Sequence, residues 1–258
     1  MTPEGVSPDA FERALGLLRG AERVVAFTGA GMSKESGIPT FRDAQEGLWA
    51  RYDPAELATE RGFRANPRLV WSWYAERRRR IAGCRPHAGH RALAEMETLV
   101  PALTVVTQNV DGLHAEAGST GVVELHGNIR CFRCLDAHHP FAGEAPVEEG
   151  EPPPCPVCSS PLRPDVVWFG EMLPEEAVER AWRLAGECDL MLVVGTSGLV
   201  RPAADLPRVA RRAGASVVEV NPELGEVTAA ADVFLRGRAG EVLPALLGGL
   251  RAARSAGS

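Results

Sequence analysis

Lysine is almost absent from this sequence: Lys34 is the only one, and the other basic residues are arginines. Acidic residues outnumber basic ones, 34 against 28, so the formal net charge is −6. Proteins that bind nucleic acid without sequence preference neutralise its phosphates, and this charge balance argues against such a function. Long apolar runs are missing too. Leu190–Val194 is typical, and it is far shorter than the roughly 20 residues that span a bilayer.

Basic residues are also missing from the first ten positions, which argues against a secretory signal and leads us to expect a cytoplasmic protein. Apolar residues make up 45% of the 258 residues and charged residues 24%. Both values are ordinary for a globular chain, and they exclude a mostly disordered protein, a coiled coil or a collagen-like fibre. The length allows one large domain with inserted modules.

Four of the six cysteines form two C-x-x-C pairs. In a reducing compartment disulfides are unfavourable, and pairs at this spacing predict a four-thiolate zinc site, with a redox pair as the alternative. His138 and His139 lie between the pairs and are candidate ligands, but four cysteines already complete a zinc tetrahedron. The predicted ligands are Cys131, Cys134, Cys155 and Cys158.

Apolar runs of strand length alternate with helical patterns along most of the chain. This alternation predicts an α/β fold, a Rossmann-like parallel sheet with helices on both faces. We expect the sheet-forming, Rossmann-like domain to comprise residues 1–43, 91–128 and 163–258, with an inserted helical module at 44–90 and a smaller zinc-ribbon-like module at 129–162. The predicted strands are 24–28, 103–107, 122–125, 189–194, 216–220 and 232–235.

Four of these strands lead into polar or glycine-rich segments, which begin at Gly29, Gln108, Gly195 and Asn221. Ligands of parallel sheets bind outside the carboxyl ends of the strands, so these segments should line one crevice. Gly29-Ala30-Gly31 is a candidate phosphate loop, because glycines let backbone N–H groups approach a pyrophosphate; a tight turn is the alternative. Lys34 stands where the dehydrogenase fingerprint has its third glycine. We therefore expect chemistry at the ribose of a dinucleotide rather than hydride transfer.

Side chains able to bind or to react follow two of the strands. Gln108, Asn109 and Asp111 can bind ribose hydroxyls or a carboxamide, although Asp111 taken alone could equally cap a helix. His126 follows an apolar strand and precedes a glycine. A single histidine in such a place is often structural, but its position at the crevice also suits a general base that works near neutral pH.

Taken together, these segments resemble the sirtuin family of NAD-dependent protein-lysine deacylases. The motifs occur in the order of the family over nearly the whole chain. They are GAGMSKESGIPTFRD (29–43), TQNVDGLH (107–114), LHGN (125–128), the two C-x-x-C pairs, PDVVWFGE (164–171), GTS (195–197) and VNPE (220–223). One departure follows Ser197, where Gly198 stands in place of the bulkier residue of many members.

The resemblance implies a role for each matching residue. His126 would be the catalytic base, NAD would be consumed as a co-substrate, and one zinc closed by four thiolates would be structural. The acylated-lysine peptide would add as a strand beside Val167, Phe169, Gly170 and Glu171. NAD would be bound by Gly29, Ala30, Gly31, Ser33, Phe41, Arg42, Gln108, Asn109, Asp111, Gly195, Thr196, Ser197, Asn221, Glu223 and Ala239.

The implied reaction transfers the acyl group of a modified lysine to ADP-ribose and releases nicotinamide. The acyl oxygen attacks C1′ of the nicotinamide ribose, and His126 then accepts a proton from the ribose hydroxyls. The expected partners are proteins with acylated lysines. The alternatives are a mono-ADP-ribosyltransferase, in which another acceptor attacks C1′, a zinc-ribbon interaction module without activity, and a dehydrogenase, which would yield reduced rather than free nicotinamide.

Tyr74 and Arg77 lie three residues apart in a predicted helix and so share one face. In one interpretation Tyr74 belongs to the core and Arg77 to a solvated basic run. The pair is also similar to the tyrosine–arginine pair of class III sirtuins, the desuccinylase and demalonylase branch, where phenol and guanidinium suit a carboxylate. Ala58 matches the small residue that widens the acyl pocket in that branch. We expect succinyl-lysine to be removed at least as efficiently as acetyl-lysine.

Overall fold

The computed structural model describes residues 2–39, 57–141, 143 and 150–256. Two predicted NAD-binding residues, Phe41 and Arg42, therefore lie outside the described residues. Among the helices of the described ranges, none combines the length and the apolar character that crossing a lipid bilayer requires.

A six-stranded parallel sheet forms the centre of the fold. The strands of the described part are β1 (Arg23–Thr28), β2 (Ala102–Thr107), β3 (Val122–Glu124), β4 (Gly127–Cys134), β5 (Pro140–Phe141), β6 (Leu162–Val166), β7 (Leu190–Val194), β8 (Ser216–Asn221) and β9 (Val233–Arg236). The central sheet has the order β3-β2-β1-β7-β8-β9, so the order reverses between β1 and β7. All six predicted strands are confirmed, each to within one residue at either end.

Helices cover both faces of this sheet, as predicted. They are α1 (Pro8–Gly20), α2 (Ala30–Lys34), α3 (Glu60–Ala65), α4 (Pro67–Ala82), α5 (Ala88–Met96), α6 (Leu113–Glu116), α7 (Glu175–Glu187), α8 (Leu206–Arg212) and α9 (Ala239–Ala256). Successive strand residues point to opposite faces. Val24 and Ala26 therefore pack in a core with α1, α5 and α9, whereas Val25 and Phe27 pack in a second core with α7 and α8.

A smaller antiparallel sheet, in the order β5-β4-β6, lies beyond the end of β3. Its buried Phe132 and Leu162 pack against Trp71 of α4. The same helix contributes Tyr74 to a third cluster, which includes Trp168 just after β6. Helix α4 thus links the small sheet to the segment that continues toward the central sheet. The division of the chain into three units at the expected boundaries stays a prediction.

Candidate active site

The glycine-rich loops after β1 and β7 touch each other where the strand order reverses. The N–H of Gly31 donates to the carbonyl of Gly195 at 2.8 Å. A Cβ atom on Gly31 would lie 2.8 Å from the Cα of Gly195, and a Cβ on Gly29 would lie 2.8 Å from the Cβ of Thr196. Only glycine permits so close an approach of two backbones. The predicted loop contains a short helix, α2, directly after Gly29.

Polar side chains after β1 and β2 form one buried hydrogen-bonded network. Ser33 Oγ donates to Asp111 Oδ2 at 2.7 Å. Asn109 Nδ2 donates to Ser33 Oγ at 3.0 Å and to the carbonyl of Gly29 at 2.9 Å. Asp111 Oδ1 also accepts the N–H of Leu113, the first residue of α6, at 2.9 Å, while its other oxygen belongs to the network. Asp111 therefore contacts the start of α6 and the crevice at once, although the N-cap of α6 is Gly112.

His126 lies between β3 and β4, where the two sheets join, and it is half-buried. Its Nδ1 lies 2.9 Å from the carbonyl oxygen of Gln108. A carbonyl oxygen can only accept, so Nδ1 carries the hydrogen and Nε2 is the basic nitrogen. Burial lowers the pKa of His126, although the hydrogen bond to Gln108 opposes that shift. The ring is therefore neutral at physiological pH, as a general base requires.

The loops after β7 and β8 form the other half of the crevice. Gln108 Nε2 donates to Thr196 Oγ1 at 2.9 Å, and Asn221 Nδ2 donates to the carbonyl of Thr196 at 3.1 Å. Glu223 is exposed just beyond β8, and Ser197 is half-buried beside Thr196. Thr196 therefore connects Gln108, which follows β2, with Asn221, the last residue of β8.

Ala239 lies at the first position of α9, after the last strand. The N–H of the neighbouring Gly240 donates to Glu35 Oε1 at 2.8 Å. This bond joins the start of α9 to the segment that follows α2. Of the predicted NAD-binding residues that the structure describes, all lie at the carboxyl ends of central strands or in the segments that follow them.

Two residues that sequence analysis did not single out lie behind the network. Thr28 Oγ1 donates to Thr107 Oγ1 at 2.8 Å and lies 2.9 Å from Nε2 of His114. Both threonines are the last residues of buried apolar strands, β1 and β2. A hydroxyl at the end of such a strand is the signal that could have identified them, since it needs a partner once it is buried.

The predicted acyl-binding residues converge on the segment after β6. Trp168 Nε1 donates to Tyr74 Oη at 2.9 Å, and both side chains are buried. The N–H of Phe169 donates to the carbonyl of Ala58 at 2.8 Å. Burial raises the pKa of Tyr74, although Arg77 opposes the shift, so the phenol keeps its proton.

The arginines of the predicted basic run differ in their surroundings. Arg77 is half-buried; burial lowers its pKa, while the nearby Tyr74 and Asp111 raise it. Arg80 is exposed and pairs with Glu76 at 2.8 Å. The description of a solvated run therefore applies to Arg80 and not to Arg77, which lies between the acyl side and the cofactor side of the site.

A buried ion pair, which sequence analysis missed, holds the predicted peptide-binding segment. Arg163 Nη2 donates to Glu171 Oε2 at 3.0 Å and to the carbonyl of Val166 at 2.7 Å. Glu171 also accepts the backbone N–H of Trp168 at 2.8 Å. Arg163 is fully buried, so loss of Glu171 would leave its charge uncompensated. This pair orders the backbone of residues 166–171, which includes the half-buried Val167 and the exposed Gly170.

A candidate metal-binding cluster lies at the small sheet and includes three of the four predicted cysteines. The potential ligand atoms of Cys134, His139, Cys155 and Cys158 lie within 4.8 Å of one another. Cys131 is exposed in the same small sheet, and its role as the fourth zinc ligand stays a prediction. Thiolate and imidazole are ligands that zinc prefers, and a closed set of four leaves no open position. The cluster therefore suits one structural zinc ion.

The topology and the crevice place the chain among the α/β proteins that bind a dinucleotide at the switch point of a parallel sheet. The chain belongs to the Sir2 family, whose model matches residues 29–202. NAD-dependent protein deacylase 2 of Pyrobaculum aerophilum is 54% identical over 231 residues, which cover 90% of this chain and 92% of the relative. NAD-dependent protein deacylase 1 of Pseudomonas aeruginosa is 52% identical over 238 residues, covering 90% and 95%.

Solved structures agree with this assignment. The crystal structure of a Sir2 homologue in complex with NAD superimposes with a TM-score of 0.90 at 43% identity, and the match covers 97% of each chain. A Sir2 protein bound to a myristoylated histone peptide has a TM-score of 0.77 at 35% identity, with 97% of this chain and 100% of that chain covered.

Proposed function

We propose that this chain is an NAD-dependent protein-lysine deacylase that removes succinyl groups at least as efficiently as acetyl groups. The observation that carries the acyl preference is the hydrogen bond from Trp168 to Tyr74, one helical turn from Arg77. The chain transfers the acyl group to ADP-ribose, releases nicotinamide and consumes NAD. Its protein partners carry acylated lysines, and the cytoplasm is the proposed location.

The crevice suits NAD in its chemistry. The carboxylate of Asp111 and the amide of Asn109 match ribose hydroxyls and a carboxamide, and the glycine loops leave backbone rather than side chains at the switch point. NAD supplies the ribose carbon C1′, from which nicotinamide leaves and which the acyl oxygen can attack. The proposed NAD-binding residues are those of the loops after β1, β2, β7 and β8, together with Ala239, Phe41 and Arg42.

His126 is the proposed general base. Its Nδ1 is held by the carbonyl of Gln108, so the ring offers one basic nitrogen, Nε2. Because the ring is neutral at physiological pH, Nε2 can accept a proton from a ribose hydroxyl. The deprotonated oxygen is then able to attack the acyl carbon. Gln108 thereby acts as a positioning residue, since its backbone sets the tautomer of the base.

The peptide segment is held in a form that suits strand addition. Phe169 is 55% exposed, and its backbone is tied to Ala58 on one side and to the Arg163–Glu171 pair on the other. An ordered, exposed edge of this kind can pair with an extended peptide through main-chain hydrogen bonds. The acylated lysine would enter beside Ala58, whose small side chain leaves room for a longer acyl group.

Trp168 determines how Tyr74 can act. Because the indole N–H donates to Tyr74 Oη, the phenol already accepts a hydrogen bond, and its own hydrogen can be donated to a ligand. Arg77 adds a guanidinium three residues further along α4. A phenol and a guanidinium together match the free carboxylate of a succinyl or malonyl group, with a charge-assisted pair as the strong component.

The test compares kcat/KM on matched succinyl- and acetyl-lysine peptides for the wild type and for Arg77→Ala. A charge-assisted hydrogen bond contributes about 1.5–3 kcal/mol, so desuccinylation should fall by about 10- to 150-fold more than deacetylation. Arg77 lies near Asp111 of the proposed NAD site, so its loss could weaken NAD binding for both peptides. The ratio of kcat/KM on the succinyl peptide to kcat/KM on the acetyl peptide cancels that shared effect.

Arg80→Ala is the matched control, because Arg80 is exposed on the same helix and pairs only at the surface with Glu76. It should leave the ratio unchanged. Equal losses on both peptides for Arg77→Ala would make Arg77 structural, and a strong acetyl preference in the wild type would end the proposal of succinyl removal. ADP-ribose on protein without consumption of the acyl group, read by mass spectrometry, would favour mono-ADP-ribosylation instead.

A further inference from the structure

Arg163 is a fully buried arginine of β6, and its guanidinium lies over the indole ring of Trp168. The distance from Arg163 Cζ to the centroid of that ring is 3.3 Å. At this distance the guanidinium is in van der Waals contact with the face of the indole. A planar guanidinium stacks well on an aromatic face, whereas the ammonium of a lysine does not. Arg163 therefore supports the indole from one side.

Hydrogen bonds hold the guanidinium of Arg163 in this position. Nη1 and Nη2 both donate to the carboxylate of Glu171, a two-pronged pair that fixes the tilt of the guanidinium as well as its place. Nη2 also donates to the carbonyl of Val166 at 2.7 Å, and Nε donates to the carbonyl of Pro164 at 3.3 Å. Because the N–H groups of a guanidinium lie in its plane, these bonds leave its face available for the indole.

The indole of Trp168 has further contacts on the side of the acyl-binding residues. Its ring lies 5.3 Å from that of Phe63, centroid to centroid, and its Nε1 donates to Tyr74 Oη at 2.9 Å. Trp168 is only 2% exposed, so close packing leaves its ring little room to turn. A change in the position of the indole would therefore weaken or break the hydrogen bond to the phenol.

The phenol of Tyr74 depends on this bond for its orientation. In the part of the chain that the structure describes, Tyr74 Oη accepts a hydrogen bond from Trp168 and donates none. A buried hydroxyl hydrogen that has no protein acceptor is available to a ligand. Since the hydroxyl hydrogen rotates to suit its surroundings, a donor fixed on one side of Oη restricts the directions in which that hydrogen can point. The position of the indole thus sets the direction in which Tyr74 can donate.

We propose that Arg163 is a positioning residue for acyl selectivity. Its stack on Trp168 holds the indole so that Tyr74 donates its hydrogen to the free carboxylate of a succinyl or malonyl group. This inference rests on the proposed function, in which Tyr74 and Arg77 bind that carboxylate. Arg163 is fully buried behind the indole, so it acts through Trp168. An acetyl group has no carboxylate to accept the phenol hydrogen, so loss of the stack should affect succinyl substrates selectively.

The kcat/KM values of the full chain on matched succinyl- and acetyl-lysine peptides test this role. Trp168→Phe keeps an aromatic ring in the core and removes the indole N–H, whereas Arg163→Lys keeps the charge and removes the planar stack. A neutral hydrogen bond corresponds to a preference of about 2- to 13-fold. Each variant should lower the succinyl-to-acetyl ratio by about that factor. Equal losses on both peptides would make the two residues supports of the peptide segment alone and would overturn the inference.

Arg133→Lys is the matched control. Arg133 lies opposite Arg163 in the pairing of β4 with β6, and its Nη2 is 3.4 Å from Glu171 Oε2, so it contacts the same carboxylate. The guanidinium over the indole belongs to Arg163. The control should therefore leave the succinyl-to-acetyl ratio unchanged, even if both rates fall together. A drop in this ratio as large as that of Arg163→Lys would assign the effect to Glu171 and overturn the role of the stack.

Nuclear magnetic resonance gives a readout that does not depend on the acyl group. With isotopically labelled tryptophan, the indole N–H signal that disappears in Trp168→Phe belongs to Trp168. That signal should shift in Tyr74→Phe and in Arg163→Lys but not in Arg133→Lys. An indole signal that Arg163→Lys leaves in place would overturn the inference.

The wild type reports the stack directly if Arg163→Lys does not fold. With isotopically labelled arginine, one set of guanidinium signals should be moved upfield by the ring current of the indole. This displacement should decrease in Trp168→Phe, whose succinyl-to-acetyl ratio then completes the test. A wild type without such a displaced set would overturn the inference.

Failure of the acyl preference and failure of this positioning role give different results. A wild type that strongly prefers acetyl peptides would overturn the preference and the role of Arg163 together. A succinyl preference that Arg77→Ala lowers, but that Arg163→Lys and Trp168→Phe leave unchanged, would overturn the role of Arg163 alone.

Discussion

Helices cover the six-stranded sheet on both faces, whereas the three-stranded sheet packs against helix α4 and lies beside a candidate metal cluster. The two cores of the large sheet consist mainly of aliphatic side chains, which come from the strands and from the helices packed on them. The core of the small sheet contains few residues, and two of its buried members, Cys134 and Cys155, belong to the candidate metal cluster. The large sheet is stabilised by burial of apolar surface, whereas we expect the small one to depend also on bonds to an ion.

The comparison shows why sequence patterns have different value in the two regions. Burial on both faces requires long apolar runs, and these are visible in the sequence. A metal site requires only that a few side chains meet at one point, which depends on turns and on which face of a strand each residue occupies. The proposed chemistry lies at the large sheet and at its junction with the small one, so variants in each region can show how far the two depend on each other.

The largest expected loss of activity comes from His126, which lies between β3 and β4 where the two sheets join. His126→Ala should lower kcat/KM for deacylation by about 10²–10⁴-fold, because removal of a general base has that cost. NAD affinity and the unfolding transition should stay close to those of the wild type, since His126 is half-buried and its ring contacts a backbone carbonyl. Steady-state kinetics, NAD titration and thermal unfolding provide the three measurements. Turnover near that of the wild type would refute the assignment of the base.

A second prediction concerns the stability of the chain at low pH, which depends on two buried histidines beside the large sheet, His90 and His114. Burial, together with neighbouring positive charges, lowers the pKa of His90 to about 2 and that of His114 to about 4. Both rings are therefore neutral in the folded chain, whereas in the unfolded chain they bind protons below about pH 6.5. The stability associated with each is complete above pH 6.5 and is lost as the pH falls from there toward the folded pKa.

Between pH 7 and pH 5 this linkage should cost about 2 kcal/mol of unfolding free energy for each ring. His90→Phe keeps an apolar ring at the buried site and removes one of the two titrations. Urea unfolding at both pH values should show a smaller loss in this variant than in the wild type. Loss of zinc at low pH affects both proteins alike, so identical losses would show that the small sheet, and not the histidines, is the acid-sensitive region.

The last prediction compares two glycines beside the large sheet. Gly31 lies where the loops after β1 and β7 touch, and Gly248 lies in helix α9. Gly31→Ala places a Cβ 2.8 Å from the Cα of Gly195, and overpacking of this kind costs about 1–3 kcal/mol. Gly248→Ala, inside α9, meets nothing within 4 Å and should stabilise by about 0.5–1 kcal/mol. Unfolding free energies from urea titration measure both. The Gly31 variant should also bind NAD more weakly than the wild type. An equal loss of NAD affinity in the Gly248 variant would show that the contact between the loops after β1 and β7 is not what matters for binding.

Tertiary contacts decided which arginine of the basic run could serve the site. The sequence shows four arginines from 77 to 80 and cannot rank them, because helical spacing alone does not say which side of α4 is covered. Packing of α4 against the segment after β6 buries Tyr74 and partly buries Arg77, and leaves Arg80 in solvent. The hydrogen bond between Trp168 and Tyr74 joins residues 94 positions apart, a distance along the chain that no local pattern encodes.

The sequence by itself determined the parallel sheet, its strand boundaries and the loops that begin at Gly29, Gln108 and Gly195, because buried strands and close backbone approaches leave residue patterns that are local. Only the tertiary structure decided which side chains meet around the candidate metal site. Sequence spacing does not say which of the two histidines between the C-x-x-C pairs lies near a cysteine. The pairing of β4 with β6 and the turn after Cys134 place His139 there, with its Nδ1 3.9 Å from Cys155 Sγ.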